Sequence, residues 1–329
     1  MASSQTYTLR QDLLEESRAL FALPLLTLAQ RAAVVHLQYW PEPDIQRCSL
    51  LSIKTGNCPE DCSYCPQSAR YATDIDKTPL LDAATVEEKA RAAKLSGATR
   101  FCMGAAWRKP PKGKQFETVL DSIRRVKALD MECCVTLGLL DGEQARALKE
   151  AGLDVYNHNV DTSPDYYSEV ITTRRFEDRV ATLEHVRQAG LQVCCGGILG
   201  MGEDASDRAE LIAFLAGLEP QPESVPLNLL VKVEGTPLAD VEDLDPFELV
   251  RCIAVTRIML PKTRIRLSAG RMNLSRESQA LCFFVGANSI FSGERLLTTP
   301  LPGTDFDSAL LGTLTLPPAA EAGRPQSLH

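Results

Sequence analysis

Leu50-Leu51-Ser52-Ile53-Lys54-Thr55-Gly56-Asn57-Cys58-Pro59-Glu60-Asp61-Cys62-Ser63-Tyr64-Cys65-Pro66-Gln67 joins a short apolar run to a loop punctuated by Gly and Pro. The run reads as a buried strand, and Gly56 and Pro59 break it. Three cysteines on the loop are spaced Cys-x3-Cys-x2-Cys. Three thiolates from one short loop can hold three corners of a cubane iron–sulfur cluster, leaving the fourth iron open to a small molecule. Zinc is the rival occupant, but its sites usually take four ligands in paired spacings and no second pair lies nearby. A disulfide knot suits a small secreted domain, and inert free cysteines favour apolar cores over polar loops.

Outward from this stretch, short β-branched runs alternate with longer amphipathic segments. Strands are predicted around Leu50–Ile53, Thr99–Met103, Glu132–Leu137, Asp154–Asn157, Gln192–Gly196, Ser224–Val231, Thr263–Leu267 and Asn288–Phe291. Helices are predicted near 85–96, 115–129, 142–151, 176–189, 205–216, 246–259 and 275–284, several ending at a Gly such as Gly97, Gly152 or Gly190. Eight strands alternating with helices give an α/β chain with a (β/α)8 TIM-type barrel. A doubly wound open sheet has the same alternation, and strand count does not separate the two. Helical spacing over 9–21 and 25–39, interrupted by Pro24, makes residues 1–40 an N-terminal helical extension. The barrel is expected over 41–300. Residues 301–329, rich in Pro, Gly and Ala, read as a C-terminal tail that hangs loose.

Composition narrows the function. At 329 residues and 44% hydrophobic content, the chain can build one large core or two medium ones. A net charge of −8 and the absence of a long basic run argue against nucleic acid as a partner. No apolar run reaches the length of a membrane span. Met1 to Glu16 has neither a signal-peptide apolar region nor a transit-peptide composition. Eleven cysteines, an odd number with adjacent pairs at Cys133-Cys134 and Cys194-Cys195, fit a reducing compartment and cofactor use rather than a disulfide framework. The expected location is the cytoplasm.

Strand alternation then places individual side chains. Phe101 and Met103 share one face of the second strand, leaving Cys102 on the other. Cys133, Val135 and Leu137 share a face of the third, leaving Cys134. Leu191, Val193 and Cys195 share a face of the fifth, leaving Cys194, and Ile265 and Leu267 oppose Arg266 in the seventh. Period-two geometry therefore sends Cys102, Cys134, Cys194 and Arg266 into the barrel lumen, a second candidate cofactor site. One such cysteine alone would be an inert buried thiol; three converging from different strands are not. A buried arginine needs an anionic partner, which thiolates with a cluster would supply. Cys48, Cys252 and Cys282 read as core residues. At the fourth strand end, Tyr156-Asn157-His158-Asn159-Val160-Asp161-Thr162 suits either a polar ligand or an Asx-rich turn bonding its own backbone. Asn159 and Asp161 share a parity and can face the same molecule. Asn228 is polar among apolar neighbours and is expected to reach the lumen.

These residues resemble the biotin synthase family of the radical S-adenosylmethionine superfamily. The superfamily signature is Cys58-x3-Cys62-x2-Cys65 with Tyr64 before the last cysteine. The narrower likeness rests on Ser52-Ile53-Lys54-Thr55-Gly56, Tyr64-Cys65-Pro66-Gln67-Ser68, Arg100-Phe101-Cys102-Met103-Gly104-Ala105-Ala106-Trp107, Tyr156-Asn157-His158-Asn159, Arg266-Leu267-Ser268-Ala269-Gly270-Arg271 and Gly286-Ala287-Asn288-Ser289-Ile290-Phe291. It covers roughly residues 40 to 300; Met272-Asn273-Leu274-Ser275 departs from it. The resemblance implies a [4Fe–4S] cluster on Cys58, Cys62 and Cys65, binding S-adenosyl-L-methionine at its open iron. It also implies a [2Fe–2S] cluster on Cys102, Cys134, Cys194 and Arg266, and the insertion of its sulfur into dethiobiotin by radical chemistry. The hard step then belongs to the cofactors, with no catalytic side chain beyond them. Tyr64, Asn159, Asp161, Arg179 and Asn228 fall at positions that contact S-adenosylmethionine or substrate. A reduced donor of flavodoxin or ferredoxin type and a homodimer are further implied partners. A radical enzyme of the same superfamily acting on another substrate, a closed four-cysteine electron-transfer protein and a zinc-stabilised barrel are the competing functions.

Overall fold

A computed structural model describes residues 9–315. Two helices come first, α1 (Gln11–Phe21) and α2 (Leu25–Tyr39). Pro24 separates them, having no N–H to continue α1 and serving as N-cap of α2. The chain then alternates through β1 (Gln46–Lys54), α3 (Ala83–Leu95), β2 (Arg100–Ala105), α4 (Lys114–Lys127), β3 (Glu132–Thr136), α5 (Gly142–Glu150) and β4 (Val155–Asn157). It continues through α6 (Tyr167–Val170), α7 (Phe176–Gln188), β5 (Gln192–Cys194), β6 (Gly197–Leu199), α8 (Ala205–Gly217), β7 (Ser224–Leu229) and α9 (Pro246–Met259). The last elements are β8 (Arg264–Leu267), α10 (Arg276–Phe284), β9 (Ser289–Phe291), the hairpin β10 (Arg295–Leu296) and β11 (Thr299–Pro300), and α11 (Thr304–Thr315). Local chemistry fixes several helix starts. Asp141 and Gln144 form a capping box on α5, Asp204 caps α8, and Asp245 caps α9 with Pro246 in its first turn. The extension leans on the barrel, α1 and α2 packing on α8 and α9, with Ser17 Oγ donating to Ala209 O at 2.8 Å.

The sheet closes. β1 pairs in parallel with β2 on one side and β9 on the other, and the ring continues through β8 and β7. On the far side β5 meets β7 at Cys194 and Ser224. A closed parallel ring has no free edge, so the barrel reading holds and the open sheet does not. The fifth strand, expected to run unbroken over 192–196, is split into β5 and β6. A Cβ on Gly196 would lie 2.0 Å from Pro226 O, so only glycine lets the chain cross there, and its N–H turns to Asn159 Oδ1 instead of the ladder.

Period-two alternation sorts the side chains into two layers. Phe101, Met103, Cys133, Val135, Tyr156, Val193, Cys195, Ile265 and Leu267 pack outward in the large core under the helices. Cys102, Cys134 and Cys194 fall in a separate inner cluster with Val155, Phe291, Leu296 and Leu301. The expected register is therefore the observed one. All three cysteines read as core residues are core residues, Cys252 and Cys282 in the outer layer and Cys48, fully buried, in the inner cluster. The expected loose tail needs correction. α11 is docked, with Leu310 and Leu311 in the core and the fully buried Asp307 paired with Arg271. Arg271 further donates to Phe291 O at 2.9 Å and to Gln279 Oε1, so the helix is tied to the last barrel strand. Residues 316–329, the remainder of that tail, lie outside the described residues.

Candidate active site

The cysteine loop leaves β1 through two left-handed residues, Gly56 at φ +78° and Asn57 at φ +57°. It then folds back on itself. Cys58 N donates to Gln67 O at 3.0 Å, Ala69 N to Cys58 O at 2.7 Å, and Cys65 N to Cys62 O at 2.9 Å. The segment before α7 pins the loop from outside. Asp61 accepts from Thr172 N at 3.0 Å and Thr173 N at 3.1 Å, and the buried Glu60 accepts from Arg108 Nη1 at 2.8 Å and from Thr173 Oγ1. Arg174 Nη2 donates to Cys62 Sγ at 3.4 Å. Burial raises the pKa of all three thiols, that of Cys65 to about 12, while Arg174 works against the rise at Cys62. Left to themselves the thiols stay protonated, so binding iron must release their protons, and the nearby guanidinium offsets the charge that results.

Deeper in the barrel, Cys102 and Cys134 sit directly opposite each other on β2 and β3. The neighbouring Cys134 thiol, then burial, pushes the Cys102 thiol well up. Asn157 Nδ2 reaches Cys194 Sγ at 3.1 Å. Arg266 approaches the same sulfur with Nη1 at 3.5 Å and Ser289 Oγ with Nε at 3.0 Å. Its remaining nitrogen, Nη2, is buried without a hydrogen-bond partner among the described residues. Burial alone would lower the Arg266 pKa; the facing Cys48 and Cys194 outweigh it and the net shift is upward. Below lies a closed polar floor. Arg100 binds Glu132 through two bonds of 2.7 Å and Ser224 Oγ at 3.1 Å, and Gln46 Nε2 reaches Glu132 at 2.9 Å. The orphaned N–H of a buried cation beside soft thiols fits an anionic iron–sulfur cluster, which supplies the missing acceptor and takes thiolate ligands.

A single cavity of about 320 Å³ connects the two sets, with Cys58, Cys62 and Cys65 at one end and Cys102, Cys134 and Arg266 at the other. That volume lies within the range of small-molecule sites. Asn159, Asp161, Arg179, Asn228 and Tyr64 all line it. Their polar atoms are largely committed to one another. Asp161, itself at φ +71°, accepts from Tyr64 Oη at 2.6 Å and from Arg179 Nη2. Arg179 also binds Tyr167 Oη at 2.9 Å and Asn159 O at 2.7 Å. Burial, then the charge of Asp161, pushes the Tyr64 phenol well up, so it remains a donor. Asn228 braces the wall, donating to Gly197 O at 2.9 Å and accepting from Ala269 N at 3.1 Å. The shared parity of Asn159 and Asp161 does bring both to the cavity, but Asp161 faces its arginine.

Three participants escaped the sequence reading. Asn157 has the parity of Asn159 and Asp161, a signal that was present. Arg174 reaches Cys62 from a loop 112 positions away, and nothing local marks it. The hairpin Leu296-Leu297-Thr298-Thr299 caps the cavity. There Leu297 lies against the bare face of Gly104, where a Cβ would come within 2.6 Å of Leu297 Cδ2 and oblige that side chain to shift.

His158, beyond the end of β4, is buried, and its Nε2 has no partner among the described residues. Burial first, then Arg179 and Arg174, depresses its pKa well below the usual value. The unfolded chain takes up a proton near pH 6.5 that the folded chain refuses. His158 is thus compatible with full stability above that pH, and stability is lost as the pH falls below it, by up to about 1.4 kcal/mol per unit. Urea midpoints at pH 7.5 and 5.5 should converge in His158→Phe relative to the unsubstituted chain. An unchanged gap would show that another group carries the slope.

Comparison with known proteins matches residues 52–215 to the radical SAM superfamily and residues 226–316 to the biotin and thiamin synthesis associated domain. The biotin synthase of Ralstonia nicotianae is 59% identical over 300 residues, spanning 91% of this chain and 83% of the relative. That of Nitrosococcus oceani is 57% identical over 313 residues, spanning 94% and 90%, and that of Methylorubrum populi 55% over 324 residues, spanning 96% and 95%. Among solved structures, the FeFe-hydrogenase maturase HydG of Carboxydothermus hydrogenoformans superposes with a TM-score of 0.78 at 19% identity, covering 91% of this chain and 74% of its own. A methylornithine synthase superposes at 0.73 and 21% identity, covering 88% and 83%. Those two likenesses are of fold. The barrel and the superfamily match across its cysteine loop make the chain a radical S-adenosylmethionine enzyme. Within that class, it belongs to the biotin synthase family.

Proposed function

We propose that this chain converts dethiobiotin to biotin, with Cys58, Cys62 and Cys65 holding a [4Fe–4S] cluster and Cys102, Cys134, Cys194 and Arg266 holding a [2Fe–2S] cluster. The observation that carries the assignment is the single cavity walled by both thiol sets, which lets one bound substrate face both. When bound, the first cluster with S-adenosylmethionine supplies a 5′-deoxyadenosyl radical able to take hydrogen from unactivated carbon, and the second supplies sulfur. The chain's own side chains position and shield. Arg174 offsets thiolate charge at Cys62, and the Tyr64–Asp161–Arg179 network fixes the cavity wall where S-adenosylmethionine is to lie. Asn159 and Asn228, their amides braced by Gly196, Gly197 and Ala269, hold the wall that dethiobiotin lies against, while Phe291, Leu296 and Leu297 keep water from a reactive species.

Electrons come from a reduced flavodoxin- or ferredoxin-like donor. We place the enzyme in the cytoplasm, a reading supported by eleven cysteines that are all free thiols. Among the described residues no helix is long and apolar enough to cross a membrane. A homodimer is supported by the apolar side chains that α2 leaves in solvent, Leu26, Val34 and Leu37, exposed at 81%, 66% and 63%. Anaerobic reconstitution with iron and sulfide, followed by reductant, S-adenosylmethionine and dethiobiotin, tests the activity. Biotin and 5′-deoxyadenosine are the expected products, and intact S-adenosylmethionine under verified reduction would sink the proposal.

A further inference from the structure

The inner layer of the barrel holds four thiols. β1 runs in register with β2 so that Cys48 faces Arg100 and Leu50 faces Cys102. Cys48 therefore shares the inward parity of Cys102, and it packs with Cys102, Cys134, Cys194 and Phe291 rather than with the helices. It also meets Arg266. Cys48 Sγ lies 3.6 Å from Ser289 Oγ, and Arg266 Nε lies 3.0 Å from the same oxygen, so thiol and guanidinium converge on one hydroxyl from the two strands that flank β9. Among the described residues the thiol's one other polar partner is Gln46 Oε1 at 3.5 Å, and a thiol is a weak donor to either oxygen. Arg266 meanwhile keeps its buried, unpartnered Nη2.

We propose that Cys48 is a reserve ligand of the lumen cluster, taking the iron corner assigned to Arg266 when that arginine is removed. The inference rests on the reading that Cys102, Cys134, Cys194 and Arg266 hold the cluster. Its chemical basis is donor preference. Iron in such clusters binds thiolate readily, whereas a guanidinium is protonated in proteins and must lose a proton before it can donate a lone pair. A thiol one hydroxyl away from that arginine borders the space that the larger side chain would vacate. On ligation the S–H bond of Cys48 is replaced by an Fe–S bond, the proton passes to solvent, and iron keeps its oxidation state. The sulfur's two weak polar contacts offer little resistance to the exchange.

The test uses the full chain reconstituted anaerobically with 57Fe and sulfide, with the two-iron cluster quantified by Mössbauer spectroscopy and its ligands read by resonance Raman. Arg266→Ala should retain the two-iron cluster at the unsubstituted level, with the Fe–S stretching pattern of four thiolates. Arg266→Ala/Cys48→Ser should lose about tenfold or more of it. Cys48→Ser alone, which keeps a hydroxyl for Ser289 and Gln46, should retain it. Equal cluster in Arg266→Ala and the double variant, or loss already in Arg266→Ala, would overturn the proposal while leaving the functional reading intact. If the double variant does not fold, the Raman pattern of Arg266→Ala decides, and fewer than four thiolates overturns the proposal. An unsubstituted chain that assembles no two-iron cluster would overturn the functional reading and this inference with it.

Discussion

Cys62→Ala is expected to abolish S-adenosylmethionine cleavage, lowering 5′-deoxyadenosine formation by at least about four orders of magnitude, because the cofactor carries the step that no side chain can replace. Cys62 is the most enclosed of the three loop cysteines and the one that Arg174 addresses. Three thiolates anchor three irons and leave one open; with two, a second iron loses its anchor on a loop that holds no further thiol. The fold should tolerate the change. The loop is held by backbone bonds, Cys65 N to Cys62 O among them, and by the clamp of Thr172 and Thr173 on Asp61, none of which uses the sulfur. Deleting one buried sulfur costs about 1 kcal/mol, at the low end of core truncations. A folded, monodisperse variant should therefore lack the four-iron Mössbauer component and retain the two-iron one. Cleavage within tenfold of the unsubstituted chain would show that the loop thiols are not the ligands of the radical-generating cluster.

The barrel was legible in the sequence because each strand turns one apolar face to a helix, and a run such as Phe101-Cys102-Met103 exposes its parity in three residues. Burial enforces that parity, since a slip of one residue would put Phe101 in the lumen. The rule fails where both faces are apolar. Around Cys48, the run Cys48-Ser49-Leu50-Leu51-Ser52-Ile53 has leucines at both parities, so alternation does not decide which layer of the core Cys48 joins. Local pattern also fails for long-range partners. Nothing beside Arg174 announces Cys62, and Arg271 gives no sign of Asp307, 36 positions later, which holds α11 against the barrel. That helix was further hidden by the Pro, Gly and Ala that follow it. Asp161 was seen as a ligand contact for its position; that its carboxylate is occupied by Arg179 and Tyr64 depends on three elements meeting, which spacing does not encode.

Cys134→Ala and Cys133→Ala, adjacent and chemically identical changes, should have opposite consequences. Cys134 points inward beside Cys102 and belongs to the inner cluster, whereas Cys133 packs in the outer core, its backbone N–H held by Asp154 Oδ2 at 2.8 Å. Removing the inner thiol deletes a proposed ligand on the strand opposite Cys102, and Cys133 cannot replace it without flipping β3. Such a flip would drive Val135 into the lumen and Thr136 into the apolar layer, at a cost of several kcal/mol. Cys134→Ala should thus lose the two-iron cluster and at least about a hundredfold of biotin formation, the upper end of the loss seen when metal-site support is removed. It should still cleave S-adenosylmethionine, because the loop cysteines are untouched. Cys133→Ala should keep the cluster and the product, losing about 1 kcal/mol of stability for a small outer-core void. Measuring biotin and 5′-deoxyadenosine in the same reaction separates the outcomes: one variant uncouples cleavage from sulfur insertion and the other does not. The reverse pattern would mean that β3 is one residue out of register, and with it the assignment of every inward side chain on that strand.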